Sequence, residues 1–139
     1  MSTLERAIAI AAEAHAGQVD KAGAPYILHV LRVMLRVETA EERIAAVLHD
    51  VVEDCGLTLD QLREDGFPEA AIEGVAAVTR REGESYEDFV LRAKAHPVGR
   101  RVKLADLADN SDVSRLAEIT ARDQARLEKY RRAMSVLEA

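Results

Sequence analysis

The chain has 139 residues, 48% hydrophobic and 32% charged, the balance of a globular domain rather than a disordered chain. A net charge of −6 denies it the basic footprint of sequence-independent nucleic-acid binding, and its single cysteine, Cys55, excludes an internal disulfide. No apolar run reaches membrane-spanning length and the first residues carry no signal-peptide pattern, so no membrane or nucleic-acid partner and a cytoplasmic setting are expected.

Thr3 to Ala16 reads as a first helix, with Leu4, Ile8, Ala11 and His15 on one face. The glycines and proline of segment 17–25 interrupt it, and a second helix follows from about Tyr26 to Val37. Thr39 is placed to cap a third, with Glu42 at the capping-box position, running to about Asp54. Thr58 caps a short helix ending near Gly66, and Pro68 suits the first turn of the next, up to about Arg80. Ser85 opens another, with Tyr86, Phe89, Val90 and Ala93 as its buried stripe. Pro97 to about Asp112 is a seventh, and Thr120 to Leu137 an amphipathic last one. No segment alternates with period two, aromatics are few, and Ala, Leu, Glu and Arg favour helix. The expected fold is all-α: one compact domain over 1–139, a bundle of about seven or eight helices.

The third helix breaks the usual rule. Ile44, Val47, Leu48, Val51 and Val52 supply a core face, and Ala45 and Ala46 keep the other side small. A helix like this is expected to be largely buried, yet it carries His49, Asp50, Glu53 and Asp54. Residues three and four apart share a helix face, which pairs His49 and Asp50 with Glu53, and Asp50 with Asp54. The seventh helix repeats the anomaly: Val98, Val102 and Ala105 set a core stripe that Asp106 and Asp109 continue. Buried carboxylates are costly unless paired or bound to a metal. Solvation, or pairing with Arg43 and Arg101, would account for any one of these acids but poorly for the set. Imidazole beside carboxylate suits a divalent ion, with His29 as a third ligand and Asp106 as a fourth. His15 is expected to be structural, His96 a solvated loop residue, and Cys55 a bystander.

These residues lie in a specific setting. Gly17-Gln18 with Pro25-Tyr26-Ile27-x-His29, then the run from Ala46 to Asp54, then Val102-Lys103-Leu104-Ala105-Asp106 with Asn110, resemble three motifs in turn. They are those of the HD-domain superfamily, in the branch of alarmone hydrolases related to RelA and SpoT. Order and spacing agree from about Ala7 to Tyr130. The resemblance implies an HD-type helical domain, without the synthetase or regulatory domains of longer members. It implies that His29, His49, Asp50 and Asp106 hold a divalent ion, Mn²⁺ foremost, with Fe²⁺, Zn²⁺, Co²⁺ and Mg²⁺ open. It places Glu53 and Asp54 at the attacking water. Lys21, Asn110, Arg126 and Tyr130 match its nucleotide contacts.

The implied reaction is removal of the 3′-pyrophosphate from a (p)ppGpp-like small-molecule nucleotide. Two other readings stay open. One is an HD hydrolase of another phosphorylated metabolite, such as a nucleoside monophosphate or NADPH. The other is a metal- or nucleotide-binding sensor without turnover. A homodimer is also compatible with the sequence. Three departures bear on substrate. Asp20 stands where relatives carry a basic residue, and Leu107 where Arg or Lys follows the aspartate. Both are expected to remove positive charge from the phosphate site. Val30 replaces a proline and is expected to be harmless.

Overall fold

The computed structural model describes residues 2–139. Eight helices form among them: α1 (Leu4–Ala14), α2 (Ile27–Leu35), α3 (Ala40–Cys55), α4 (Leu59–Glu64), α5 (Glu69–Ala77), α6 (Tyr86–Lys94), α7 (Pro97–Asn110) and α8 (Ala121–Glu138). A lone antiparallel bridge between Val19 and Pro25 pinches the loop after α1. None of the described helices is long and apolar enough to cross a membrane.

Local chemistry starts most of these helices. Thr3, Thr39, Thr58, Ser85 and Thr120 are extended N-caps whose hydroxyls accept an amide of the first turn. At Thr39, Thr58 and Thr120 the side chain of Glu42, Gln61 or Asp123 bonds back to the cap amide, closing a capping box. Gly56 ends α3 at φ 77°, a left-handed conformation that a Cβ would strain.

Several ends differ from the sequence expectation. α1 stops at Ala14, and α2 closes at Leu35 as Arg36 and Val37 form tighter bonds to Val33 and Met34. Pro68 is extended (ψ 141°) and stands as the N-cap of α5, not inside it. That helix ends at Ala77 rather than Arg80, because the Arg92 guanidinium takes the Ala76 and Thr79 carbonyls at 2.8 and 2.7 Å. α7 ends at Asn110, short of Asp112. His96 is no solvated loop residue: its Nδ1 accepts the Gly99 amide at 3.1 Å and caps α7.

α3 and α7 form the middle of the bundle. The former packs on α1, α2, α5 and α7, the latter on α2, α3, α5, α6 and α8. Every side chain of α3 from Ile44 to Val51 is buried, as expected of a helix apolar on nearly all sides. The Val30 and Leu107 side chains lie in the same core, 0% and 1% exposed. α5 and α7 touch closely at Gly99, where a Cβ would stand 2.6 Å from the Ala77 Cβ.

That contact makes a test of the packing. Alanine is about 1 kcal/mol better than glycine inside a helix, but overpacking a rigid contact costs about 1–3 kcal/mol. Gly99→Ala is therefore expected to lower stability in urea denaturation, and adding Ala77→Gly to recover part of the loss.

Candidate active site

Three helices deliver the anomalous polar residues to one point. His29 comes from the start of α2, His49 and Asp50 from α3, and Asp106 from late in α7. None of the four is more than 9% exposed. His29, His49 and Asp50 each offer an atom within 4.8 Å of the other two. Asp106 Oδ1 joins them at 3.1 Å from His29 Nε2 and 3.4 Å from His49 Nε2. Arg43 and Arg101 bond instead to the Val37 carbonyl and to Glu42, so they do not neutralise the cluster.

The donor set fits a divalent ion. His49 Nδ1 donates to the Ala46 carbonyl at 2.6 Å, which leaves a neutral ring's lone pair on Nε2. That buried atom has no hydrogen-bond partner, and it faces Asp50 Oδ1 at 3.3 Å as well as Asp106 Oδ1. A lone pair and two carboxylate oxygens repel one another in a buried space unless a proton or a cation stands among them. Without an ion, protons answer the demand. Burial works against the His49 imidazolium, but Asp50 and Asp106 hold its pKa up at about 10. Burial opposes the His29 imidazolium too, and Asp106 and Asp109 still raise its pKa. A divalent ion supplies the same positive charge while using the lone pairs as ligands.

Other groups hold these side chains in place. The Tyr26 hydroxyl donates to Asp50 Oδ2, and the Tyr26 ring lies between those of His15 and His29, at 5.0 and 5.2 Å. Lys103 reaches Asp106 Oδ2 at 3.2 Å and the Asn110 amide reaches Asp106 Oδ1 at 3.3 Å. Burial raises the Asp106 pKa, yet Lys103 and the two histidines overcome it and hold the group well below the usual carboxylate range. His15 is structural as expected, buried with Nδ1 2.8 Å from Gln18 Oε1. Exposed Cys55 lies beside it, and partial burial and nearby acids push its thiol pKa up, away from reactivity.

Glu53 and Asp54 sit on the last turn of α3, exposed, in the field of Asp50. Desolvation first, and the Asp50 charge second, raise both carboxyl pKa values. On the His29 side the cluster opens to a cleft of about 440 Å³. Lys21, Asn110, Arg126 and Tyr130 all line it, so the structure brings these four sequence candidates together. Partial burial first, and the Arg126 charge second, lower the Lys21 pKa.

The two charge departures take a different meaning here. Leu107 is in the core, so that position does not reduce the charge of the cleft lining. Asp20 does line the cleft, but its Oδ1 accepts the Ala22 and Ala24 amides at 2.9 and 3.0 Å. It shapes the loop that carries Lys21, an Asx-type turn. Arg32 and Arg115 add two further cations to the lining. Spacing marks Arg32, one turn from His29, while Tyr26 and Lys103 lie within the first and third motifs. No sequence signal marks Arg115, in the irregular segment 111–120.

A helical domain with two histidines and two aspartates focused on one buried point defines a class, that of a His/Asp centre suited to a divalent ion. Residues 7–136 match the model of the HD domain, and the chain belongs to that family. A guanosine-3′,5′-bis(diphosphate) 3′-pyrophosphohydrolase of Aquifex aeolicus is 33% identical over 118 residues, covering 77% of this chain and 17% of the relative. A GTP pyrophosphokinase of Myxococcus xanthus is 28% identical over 143 residues, covering 91% and 19%. The chain thus spans less than a fifth of the length of these curated relatives. The solved structure of a metazoan ortholog of SpoT, described as hydrolysing ppGpp, superposes with a TM-score of 0.79 at 20% identity. That match covers 99% of this chain and 85% of the other, and it shows the shared fold.

The electrostatics of the cluster generate two predictions. Asp50→Ala is expected to lose bound divalent ion while remaining helical, read by elemental analysis and circular dichroism. The second concerns pH. A folded-state pKa raised to about 10 stabilises the fold fully below the ordinary imidazole value of about 6.5, and that stability is lost as pH rises between them. Melting temperature in EDTA is therefore expected to fall from pH ~7 to ~9, and a saturating divalent ion to suppress the fall.

Proposed function

We propose that the chain, a single HD domain over 1–139, is a metal-dependent phosphohydrolase that removes the 3′-pyrophosphate of a (p)ppGpp-like nucleotide. The observation that carries this reading is the junction of two features. A buried His29/His49/Asp50/Asp106 centre opens, through His29, to a cleft lined by Lys21, Arg32, Arg115 and Arg126. Four guanidinium or ammonium groups suit a substrate with two pyrophosphate arms, despite the net charge of −6. The Aquifex relative's activity and the SpoT ortholog's fold support the same choice.

The chain's own residues divide the work. His29, His49, Asp50 and Asp106 would hold the ion, and Mn²⁺ suits their mixture of imidazole and carboxylate, as do Fe²⁺, Zn²⁺ and Co²⁺ better than Mg²⁺. When bound, such an ion supplies Lewis acidity toward a phosphate oxygen and lowers the pKa of water. Glu53, with Asp54 beside it, takes the proton of the attacking water; the raised pKa of both carboxyls suits a general base. A new bond forms from the water oxygen to phosphorus as the bond to the 3′ oxygen breaks, and that oxygen leaves with the electron pair and takes a proton from solvent. The cationic wall holds the departing pyrophosphate, while Asn110 and Tyr130 offer an amide and a hydroxyl to the rest of the nucleotide.

Product analysis tests the reading. With Mn²⁺ and ppGpp, the expected products are GDP and pyrophosphate, resolved by ion-exchange chromatography. Release of orthophosphate, or turnover of NADPH or nucleoside monophosphates but not ppGpp, would replace it with the metabolite-hydrolase reading. No turnover of any of them with the ion bound would make the protein a sensor. Glu53→Gln is expected to keep the ion and lose about 10²-fold or more in kcat, with Asp54→Asn run in parallel to divide the role between the two.

A further inference from the structure

Asp109 is the most deeply buried acid in the protein, 0% exposed, and the reaction as described does not use it. It lies one turn beyond Asp106 on α7, so the two carboxylates flank the same imidazole. Asp106 Oδ1 faces His29 Nε2 at 3.1 Å, and Asp109 Oδ2 faces His29 Nδ1 at 2.6 Å. The other oxygen of Asp109 accepts from Arg32 Nε at 2.8 Å. Arg115 Nη2 lies 3.7 Å from Oδ2 and donates to the Asp109 carbonyl at 3.4 Å. Both arginines line the cleft, and Arg32 Nη2 is buried with no partner at all.

We propose that Asp109 is a positioning residue that joins the metal centre to the anion-binding wall, with Arg32 as the substrate contact it aims. The inference rests on the metal-hydrolase reading. An ionised carboxylate is acceptor-only, so at 2.6 Å from Nδ1 it requires a proton there and leaves Nε2 free as the ligand atom. The same group anchors Arg32 through Nε, which fixes the guanidinium at the cleft wall and leaves Nη2 with no acceptor of its own. One buried charge thereby sets the tautomer of a ligand and the direction of a guanidinium.

The test separates the two halves. Mn²⁺ affinity is measured by competition with a chelator for wild type, Asp109→Ala and Arg32→Gln, with circular dichroism to confirm folding. Asp109→Ala is expected to weaken Mn²⁺ by about 10–100-fold. Arg32→Gln is expected to keep that affinity but raise KM for ppGpp with little change in kcat. In the wild-type protein loaded with diamagnetic Zn²⁺, ¹⁵N NMR is expected to show His29 protonated only at Nδ1, a readout that needs no variant to fold. A folded Asp109→Ala with wild-type Mn²⁺ affinity, an unchanged KM in Arg32→Gln, or a His29 protonated at Nε2 would each overturn the inference. A wild-type protein with no Mn²⁺ affinity would overturn the metal-hydrolase reading itself, and this inference with it.

Discussion

Two imidazoles and two carboxylates, drawn from three helices, face one another in a space that water barely reaches. Taking such groups out of water costs several kcal/mol each before any partner is found. The surroundings reduce that cost without removing it. Tyr26 and Lys103 take one oxygen each of Asp50 and Asp106, and the Ala46 carbonyl takes one nitrogen of His49. What is left over converges: one lone pair on His49 and two carboxylate oxygens, all directed at the same point. The remaining demand is for positive charge, which is why the centre reads as a cation site and not as a structural salt bridge.

Holding that centre sets terms for the scaffold. The ligand helix α3 is buried from Ile44 to Val51, so its neighbours must come close on every side of that stretch. Ala45 and Ala46 on α3 and the Gly99–Ala77 contact between α7 and α5 make the approach possible, because small side chains let helix axes draw together. Apolar residues surround the polar ones on the same helices: Val47, Leu48 and Val51 on α3, Val102, Ala105 and Leu107 on α7. Close packing there limits rotamer freedom at His49 and Asp106, so the centre keeps its geometry through ordinary core packing.

The cleft obeys a different logic. It is partly walled by irregular chain, the loop around Lys21 and the segment carrying Arg115, together with one face of α8. Its positive lining coexists with an acidic protein because charge is sorted by position: local clusters, and not the total, set the field a bound anion meets. Asp20 illustrates the point. Its carboxylate serves the loop's own amides, so counting it simply as a repulsive charge misstates its role.

The sequence alone determined the helical fold and the identity of the central cluster. Helix caps are local, and a charged residue on an apolar stripe is visible as a break in period, which is how His49, Asp50, Asp106 and even Asp109 stand out. The resemblance of the three motifs then pointed to the family that the match over 7–136 established. The tertiary structure decided what depends on distance through space. Arg92 ending α5, Leu107 turning into the core, Arg115 reaching the cleft and Asp109 joining His29 to Arg32 are contacts between residues far apart in the chain or choices of side-chain direction. Periodicity assigns a residue to a helix face, but only the packing of neighbouring helices decides whether that face meets core, cleft or water.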